Sequence, residues 1–442
     1  MQIVINKPIG ALCCRRSVGY TQAEPSRRPR KLSRRVLTDR GRNPEPNIRS
    51  FDISAVADAE QDKPAGDHGL LPNIPKDPKD RAVAFPPLIL GCSTFGYGIY
   101  ADDDNVQSSM PLRVVRLALR SGMNAFDTSP WYHPSEIILG NALAALDYPR
   151  SSYHIITKVG KYGPNSSDHT YGPEVVKASV ERSLRRLKTD YLDAVYLHDV
   201  EYTLPGPSYE GNPVPLLLTI LSQPPAPTPE ELKILDGIAA LREFQTSGHI
   251  LFVGIAGYPL PILLRLALLV RHITGKPLDV VQTYAHHTLQ NDALQQGYLQ
   301  ALTEKAGVKQ VVSASPLAMG LLTTSGGPNW HPAKEYPELF DATRAAVDMC
   351  KEKGTKLEDV ALSFGYRPLN QPDGRRVPIV VGCKDLEEVT DTVRRWKEVN
   401  PGAQGVGDSE KKELEEEVKK LFAARGVQCW SWACPSEAQR AG

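Results

Sequence analysis

The sequence predicts an α/β fold with one architecture, a (β/α)8 TIM barrel. Between residues 86 and 396, short apolar runs alternate with helical patterns, and about eight such pairs can be counted. Strands that alternate with helices form a parallel sheet, and eight units favour a closed barrel. A doubly wound sheet is the rival, but it favours a Gly-x-Gly-x-x-Gly turn after the first strand, and none follows it here.

Each predicted strand is a short apolar run that ends near a polar residue or a glycine. In chain order the strands are Leu88–Leu90, Ala125–Asp127, Ile155–Lys158, Tyr191–His198, Ile250–Ile255, Leu278–Tyr284, Gln310–Ser315 and Pro378–Val381. The helices place apolar residues three and four positions apart, and several have recognisable ends. They include Leu112–Ser121 before Gly122, Pro173–Leu187, the stripe from Leu232 to Phe244, Leu260–Ile273, and a helix capped by Asp385 with Glu388 three residues on.

The composition is that of an ordinary globular protein. The net charge of +1 favours no nucleic-acid partner, and no apolar run approaches the roughly 20 residues of a membrane span. The seven cysteines are scattered and show no metal-ligand spacing, so we expect reduced thiols and no metal. A soluble cytoplasmic protein without a nucleic-acid or membrane partner is therefore expected.

The chain divides into three predicted parts. Residues 1–82 are basic and proline-rich without periodicity, and we expect a disordered extension. The first fifty residues hold twelve Lys/Arg against three acids, so a mitochondrial transit peptide or a nucleic-acid arm stays open as an alternative. The barrel domain is expected at 83–425, including a charged helix at 408–424, and residues 426–442 form a C-terminal tail.

A long connection, residues 201–229, lies between the fourth strand and its helix. It is rich in proline and lacks periodicity, and loops of this length are uncommon unless they have a function. In a (β/α)8 barrel it emerges at the carboxyl ends of the strands, over the active site. We expect it to cover the substrate as a lid, and a passive insertion is the alternative.

Four residues with acid–base chemistry follow the ends of successive strands. Asp127 ends the second strand with Tyr132 just beyond it, Lys158 ends the third and His198 ends the fourth. Tyrosine has a pKa of about 10, and a neighbouring ammonium lowers it, so Lys158 is expected to lower the pKa of Tyr132 while Asp127 orients Lys158. His198 is expected to donate to a substrate oxygen or to relay protons through water. Each residue alone is more often structural, but the four in this order predict a dehydrogenase or reductase.

The ordered motifs resemble those of the aldo-keto reductase superfamily, from about residue 88 to about residue 396. The matching pieces are Gly91-x-x-Thr94-Phe95-Gly96, Asp127-x4-Tyr132-x2-Ser135-Glu136-x2-Leu139-Gly140, Thr157-Lys158, Ser183-Leu184-x2-Leu187-x2-Asp190-Tyr191-Leu192-Asp193 running into Leu197-His198, Ser315-Pro316-Leu317-x2-Gly320 and Val380-Val381-Gly382. The resemblance implies that Asp127, Tyr132, Lys158 and His198 are the catalytic tetrad, with Tyr132 as the proton donor or acceptor.

The resemblance also implies a nicotinamide cofactor, bound in extended form without a glycine-rich turn. Gln282 matches the residue that holds the nicotinamide carboxamide. The other implied contacts are Thr94 and Phe95 in the first loop, Ser315, Leu317 and Gly320 over the pyrophosphate, and Gly382, Lys384 and Glu388 around the adenosine half. The chain has Ala256-Gly257 where Ser-Asn is usual, and Ala314 where a tyrosine often stacks on nicotinamide. We therefore expect nicotinamide to be held somewhat differently.

Within the superfamily, the chain looks like the sugar dehydrogenase branch of fungal D-arabinose 1-dehydrogenase and plant L-galactose dehydrogenase. The matching stretches are Leu197-His198-Asp199-Val200-Glu201, Gly254-Ile255-Ala256-Gly257-Tyr258, Gln282-Thr283-Tyr284 and Thr288-Leu289-Gln290-Asn291. The resemblance implies NAD-dependent oxidation of the anomeric hydroxyl of an aldose to its lactone, with Tyr132 as general base. The expected sugar contacts are Trp131, His133 and Asp199, with His286 and His287 also near the mouth.

Two other functions stay open at this point. An NADPH-dependent aldehyde or ketone reductase would use the same tetrad, and a cofactor-binding regulatory subunit would keep the fold without turnover. Lys384 offers one cation to the 2′-phosphate of NADP, whereas Asp385 would repel it, so NAD is favoured and NADP is the alternative. The sequence specifies neither the aldose nor the oligomeric state.

Overall fold

The computed structural model describes residues 48, 50–56, 58–64, 83–205, 209–222, 226–400 and 409–441. Eight parallel strands close into a barrel in chain order. The strands are β1 Leu88–Gly91, β2 Ala125–Asp127, β3 His154–Val159, β4 Leu192–His198, β5 Ile250–Gly257, β6 Val280–Tyr284, β7 Gln310–Ala314 and β8 Ile379–Gly382. The helices are α1 Asp103–Gln107, α2 Met110–Arg120, α3 Ser135–Leu146, α4 Pro173–Leu187, α5 Leu216–Ser222, α6 Pro229–Thr246, α7 Leu260–Thr274, α8 Tyr298–Gln300, α9 Pro337–Glu352, α10 Leu357–Gly365, α11 Leu386–Val399, α12 Ser409–Ala424 and α13 Glu437–Ala441.

The predicted (β/α)8 TIM barrel is confirmed. All eight predicted strands are present, with ends that differ from the prediction by at most two residues. Helices follow the strands around the outside, although the connection after β6 holds a 3-10 turn at Ala293–Gln295, the short α8 and a π turn at Ala301–Lys305. Within the described ranges, no helix combines the length and the apolar character needed to cross a membrane.

The pleat of the strands sorts their side chains into two layers. Along β4, Tyr196 packs in the inner cluster, whereas Val195 and Leu197 pack in the outer cluster between strands and helices. Because successive side chains point to opposite faces, His198 points into the barrel like Tyr196. The same alternation turns the last acid of β2 and the lysine of β3 inward. Three of the four predicted catalytic groups therefore meet inside the carboxyl end of the barrel.

Part of the extension predicted to be disordered, residues 1–82, instead lies against α2. Asp62 is fully buried, and its carboxylate pairs with Arg113 at 2.9 Å and with Arg116 at 2.7 Å. Two guanidinium groups around one carboxylate compensate for its desolvation, which fixes this stretch on the barrel. The basic residues that suggest a transit peptide lie outside the described residues.

The charged helix predicted at 408–424 is present as α12, and the chain beyond it turns back over the barrel. α12 packs on α9 and α10, and the chain beyond it crosses the carboxyl ends of the strands. Trp432 is 1% exposed and stacks on Tyr258 with 4.5 Å between ring centroids. Gln290 Nε2 donates to the carbonyl oxygens of Val427 and Trp430 at 2.6 and 2.9 Å. This C-terminal segment, residues 427–441, forms one wall of the barrel mouth.

The connection 201–229 contains a helix that the sequence pattern does not reveal. α5 packs on α7, so the predicted structureless loop is partly helical. Gly211 and Ser431 exchange backbone hydrogen bonds of 2.8 and 2.9 Å, which join this connection to the C-terminal segment. Its role as a substrate-covering lid stays a prediction.

Candidate active site

A buried ion pair forms the floor of the candidate site. Lys158 Nζ donates to Asp127 Oδ1 and, at 3.0 Å, to the carbonyl oxygen of Thr128. Lys158 is 1% exposed and Asp127 is 2% exposed. Burial raises the pKa of the Asp127 carboxyl, and the charge of Lys158 opposes that effect. The pair places an oriented ammonium group at the centre of the barrel mouth.

Tyr132 lies above this pair on a short 3-10 turn, Pro130–Tyr132. The turn begins where Ser129 Oγ accepts a hydrogen bond of 3.1 Å from Trp131 N. The ring of Tyr132 has its centroid 5.0 Å from Lys158 Nζ and 5.7 Å from the centroid of the His198 ring. The four predicted catalytic residues are therefore brought together by the ends of β2, β3 and β4.

The pKa of Tyr132 shifts in the direction opposite to the predicted one. Its ring keeps part of its surface open at the mouth, but burial of the hydroxyl raises the pKa well above its ordinary value. The negative charges of Asp127 and Asp199 raise it further. The prediction counts only the ammonium of Lys158, whereas in the structure that charge is largely balanced by Asp127. Tyr132 is therefore a neutral phenol near pH 7.

His198 is a neutral imidazole whose Nε2 lies 3.7 Å from Asp199 Oδ1. Burial lowers the pKa of His198 well below its ordinary value, and Lys158 and Lys161 lower it further. Its Nδ1 lies 3.0 Å from Ser129 Oγ. Among the described groups in contact with Ser129 Oγ, His198 Nδ1 is the acceptor that its hydroxyl hydrogen can reach, so we assign the hydrogen to this contact, which leaves the ring proton on Nε2. Nε2–H is then a donor for a substrate oxygen.

Several residues of the motif around Tyr132 have structural roles. Glu136 is buried and accepts from Thr157 Oγ1 at 2.8 Å and from Ser183 Oγ at 2.7 Å, so it joins α3 to β3 and α4. A Cβ atom on Gly140 would lie 2.1 Å from the carbonyl oxygen of Arg186, so only glycine allows α3 to approach α4 this closely. These contacts fix the strand that carries Lys158.

Gln282 has a buried amide oxygen without a hydrogen-bond donor among the described residues. It follows the inward alternation of β6 and is 5% exposed, and its Oε1 makes no hydrogen bond with any described residue. A buried carbonyl oxygen without a donor is costly, and a nicotinamide amide would supply that donor. Across the mouth, Thr94 Oγ1 donates to the carbonyl oxygen of Cys383 at 3.0 Å and joins the loops after β1 and β8. The residues present fit a nicotinamide cofactor.

The other predicted cofactor residues take several kinds of position. Ser315 and Gly320 have left-handed backbones, with φ of 62° and 91°, and shape the loop after β7 together with Leu317. Phe95 is 1% exposed in the outer core, so only its backbone is available to a cofactor. Beside Gly382, the Lys384 amide donates to Glu388 Oε2 at 2.8 Å, and the two side chains pair at 3.4 Å. Their contacts with a cofactor stay predictions.

The predicted sugar contacts separate into two groups. Trp131, His133 and Asp199 lie in the loops after β2 and β4, beside the catalytic cluster. His286 does not line the mouth, because its Nδ1 contacts Thr283 Oγ1 at 2.9 Å and its Nε2 contacts Ser431 Oγ at 3.3 Å under the C-terminal segment. His287 is likewise buried, with its ring 5.4 Å from that of Phe364.

Sequence reasoning missed Lys161, which is buried at the mouth. Its Nζ lies 2.6 Å from Asp199 Oδ2, 5.0 Å from the centroid of Trp131 and 4.6 Å from that of Tyr202. The signal available in the sequence was its position three residues after Lys158, in the loop that follows β3. The site as a whole combines a proton donor in His198, a hydroxyl that can ionise in Tyr132 and a fixed cation in Lys158. These groups can move a proton to or from a substrate oxygen.

Comparisons with known proteins bear on the family and on the fold. Residues 87–402 match the sequence model of the Aldo/keto reductase family. The chain is 35% identical over 342 residues to an L-galactose dehydrogenase from Arabidopsis thaliana, covering 76% of this chain and 92% of that protein. It is 30% identical over 354 residues to a D-arabinose 1-dehydrogenase from Saccharomyces cerevisiae, covering 79% and 94%. A solved glycerol dehydrogenase structure from Gluconobacter oxydans has a TM-score of 0.51 at 21% identity, covering 80% and 94%, and supports the fold.

The family match spans most of the barrel, and two relatives at 30% identity or more are covered over nine-tenths of their length. The motifs of the first loop, of Tyr132 and of the strand ends lie inside the matched range. The chain therefore belongs to the aldo/keto reductase family and is an NAD(P)-dependent oxidoreductase that acts on CH–OH groups.

Proposed function

We propose that the enzyme oxidises the anomeric hydroxyl of an aldose of the D-arabinose or L-galactose type to its lactone, with NAD as the hydride acceptor. The observation that carries this proposal is the cluster in which Asp127, Lys158 and His198 surround the ring of Tyr132. Two relatives that are sugar dehydrogenases by name support the choice of an aldose.

Each residue of the cluster has a separate task in this reaction. Tyr132 in its ionised form takes the proton of the C1 hydroxyl while the C1–H bond breaks and the carbonyl forms. Lys158, fixed by Asp127, stabilises that negative charge. His198 donates Nε2–H to the same oxygen and orients it. When bound, the nicotinamide supplies the acceptor for the hydride, with Gln282 holding its amide.

We also propose NAD rather than NADP as the cofactor. The cation beside the adenosine position, Lys384, already has Glu388 as an anionic partner at 3.4 Å. Next to it, Asp385 accepts a hydrogen bond of 2.9 Å from Glu388 N as the cap of α11. A 2′-phosphate would therefore add negative charge beside two carboxylates, and only one cation would face it.

A carbonyl reductase is the second candidate, and one observation favours it. The raised pKa of Tyr132 keeps its hydroxyl protonated near pH 7, and the protonated phenol is the form that donates to a carbonyl oxygen. The same cluster would then reduce aldehydes or ketones with NADPH. The direction of the reaction at neutral pH distinguishes the two functions.

Initial rates with the purified enzyme test the proposal. The substrates are D-arabinose, L-galactose and L-fucose, each with NAD and with NADP, and the absorbance of the reduced cofactor is followed. We expect oxidation of one or two of these sugars, faster with NAD. Reduction of simple aldehydes by NADPH without any sugar oxidation would overturn the substrate class and leave the roles of Tyr132 and Lys158 in place.

A further inference from the structure

The carboxylate of Asp199 lies beside the imidazole of His198 because the chain turns sharply between them. Neighbouring residues of a strand point to opposite faces. Asp199, however, has a left-handed backbone with φ of 49° and ψ of 59°. Its Oδ1 consequently lies 3.7 Å from His198 Nε2. A left-handed non-glycine residue beside a reactive group is a form of strain that proteins retain at functional sites.

Hydrogen bonds from two directions hold this turn in place. The hydroxyl of Tyr171 lies 2.6 Å from the carbonyl oxygen of His198 and 2.9 Å from that of Asp199, and donates to them. Tyr171 is 2% exposed, so no water competes for its hydrogen. On the side-chain side, Lys161 Nζ donates to Asp199 Oδ2 at 2.6 Å. Backbone and carboxylate are therefore both fixed before any substrate binds.

Lys161 is itself held in one position. It is 7% exposed, and its ammonium lies against the rings of Trp131 and Tyr202. The Tyr202 ring stacks on that of His169 with 4.2 Å between centroids. A cation packed on two aromatic rings and bonded to a carboxylate loses several contacts if it moves. Lys161 thus occupies Oδ2 of Asp199 and leaves Oδ1 for another partner.

Oδ1 of Asp199 and Nε2–H of His198 form an adjacent acceptor and donor. Among the described residues, the contact of Oδ1 is with His198 Nε2 at 3.7 Å, which is longer than a hydrogen bond. A carboxylate accepts hydrogen bonds and cannot donate them, so its partner must carry a hydrogen. In an aldose, the carbon next to the reacting C1 carries a hydroxyl group. When His198 binds the oxygen on C1, an acceptor placed beside His198 suits the hydroxyl on C2.

We propose that Lys161 is a positioning residue and that Asp199, held by it, accepts a hydrogen bond from the C2 hydroxyl of the sugar. This inference rests on the proposed oxidation of an aldose at C1. The enzyme therefore selects aldoses with a C2 hydroxyl and discriminates against 2-deoxy sugars. With a 2-deoxy sugar, the carboxylate is shielded from water by the bound ring and receives no hydrogen in return.

The test compares D-arabinose with 2-deoxy-D-ribose, which is the same sugar without the C2 hydroxyl. For the wild-type enzyme we expect kcat/KM to be roughly ten- to a hundredfold higher for the complete sugar, as for a hydrogen bond to a charged group. Lys161→Met should bring this ratio to within about threefold of one, because Asp199 is no longer held. Lys161→Arg keeps the charge that holds Asp199 and should restore part of the ratio. If L-galactose is the accepted substrate, 2-deoxy-L-galactose replaces the deoxypentose.

Lys309→Met is the matched control. Lys309 also pairs with a buried aspartate, Asp279, at 2.8 Å, but it lies before β7 at the opposite end of the barrel. The Lys309→Met variant should leave the ratio of kcat/KM for the two sugars unchanged. An unchanged ratio in Lys161→Met, with equal losses for both sugars, would show a purely structural role and overturn the inference.

Different results would overturn the role of Asp199 and the proposed oxidation of an aldose. A wild-type enzyme that oxidises the complete and the 2-deoxy sugar equally well overturns the role of Asp199 and leaves the sugar dehydrogenase in place. An enzyme that oxidises no aldose overturns the proposed function itself. Lys161→Met is replaced in the test if circular dichroism and NAD binding show that it does not fold. The ratio of kcat/KM for the complete and the 2-deoxy sugar is then compared between the wild-type enzyme and Asp199→Asn, which tests the role of Asp199 directly.

Discussion

At the scale of single residues, the positions of the catalytic groups follow from sequence and their pKa values do not. Asp127, Lys158 and His198 are local to strand ends, so alternation along the strand determines where they point. The pKa of Tyr132 depends instead on burial and on charges from other loops, including that of Asp199. The motif cannot show those neighbours, and the predicted direction of the shift was wrong for that reason.

Replacement of Tyr132 tests its role directly. Tyr132→Phe keeps the ring against Lys158 and removes the hydroxyl, so turnover should fall by roughly 10²- to 10⁴-fold, the usual contribution of general acid–base catalysis. NAD affinity, measured by fluorescence titration, should stay the same. Tyr202→Phe is the control, since it removes a hydroxyl near the mouth that contacts Gln439 at 3.2 Å. Near-normal turnover of the Tyr132 variant would remove this residue from the mechanism.

The raised pKa of Tyr132 predicts a steep pH dependence of oxidation. Below its pKa, the ionised fraction of the hydroxyl grows about tenfold for each pH unit, and only that form accepts the proton. We therefore expect kcat/KM for sugar oxidation to rise continuously from pH 6 to pH 9. The reverse reduction should show no such rise in this range. A plateau in the oxidation rate that begins below pH 8 would contradict the raised pKa.

The buried carboxyl of Glu201 should make the stability of the folded protein depend on pH. Burial, followed by the charge of Asp199, raises the pKa of Glu201 to about 8, and its Oε1 accepts from Tyr258 N at 2.9 Å. The folded protein then binds this proton more tightly than the unfolded chain, so stability is lost as the pH rises from about 4.5 to about 8. Glu201→Gln should remove that loss.

The measurement is the free energy of unfolding in denaturant at pH 5 and at pH 8. Relative to wild type, Glu201→Gln should gain stability between these two pH values, by up to about 1.4 kcal/mol for each pKa unit of difference between the states. Glu181→Gln, on an exposed position of α4, should show no such change. A constant difference between wild type and Glu201→Gln would mean that Glu201 is ionised throughout.

At the scale of elements, the sequence predicted what is locally periodic and missed what depends on distant contacts. The strands and the helices α4 and α7 agree with prediction because alternating and three-to-four spacings are properties of one segment. α5 was missed because its short apolar run lies between prolines and gains its order from packing on α7. The stretch around Asp62 is polar, and its order comes from two arginines of α2 that lie some fifty residues further on.

The docking of that stretch on α2 predicts a local effect of mutation. Asp62→Ala removes the carboxylate that pairs with Arg113 and Arg116, and both arginines regain water if the stretch detaches. We therefore expect faster cleavage by proteinase K within residues 58–64, with little change in the melting temperature of the barrel. Glu60→Ala is the control, because it removes an exposed acid from the same turn. Unfolding of the whole barrel in Asp62→Ala would show that the stretch belongs to the cooperative core.

At the scale of the whole molecule, the mouth is assembled from loops far apart in the sequence. The tetrad could be found from sequence because each member ends a recognisable strand. The pair of Lys161 and Asp199 could not, because it joins the loops after β3 and β4. The same holds for the C-terminal segment, which lacks periodicity and is held by Gln290 and Asn291 through hydrogen bonds to Trp430 and Ser431.

Trp432 is the residue through which the C-terminal segment joins the barrel. Its ring stacks on Tyr258 of the loop after β5 and lies 5.1 Å from His331 of the loop after β7. Trp432→Ala opens a cavity between these loops, and we expect the free energy of unfolding to fall by about 3–5 kcal/mol. Trp330→Ala, which removes a ring that is 46% exposed, should cost less than about 1 kcal/mol. Denaturant titrations measure the free energy of unfolding of both variants. A loss in Trp432→Ala no larger than that in Trp330→Ala would show that the C-terminal segment adds nothing to the stability of the closed barrel.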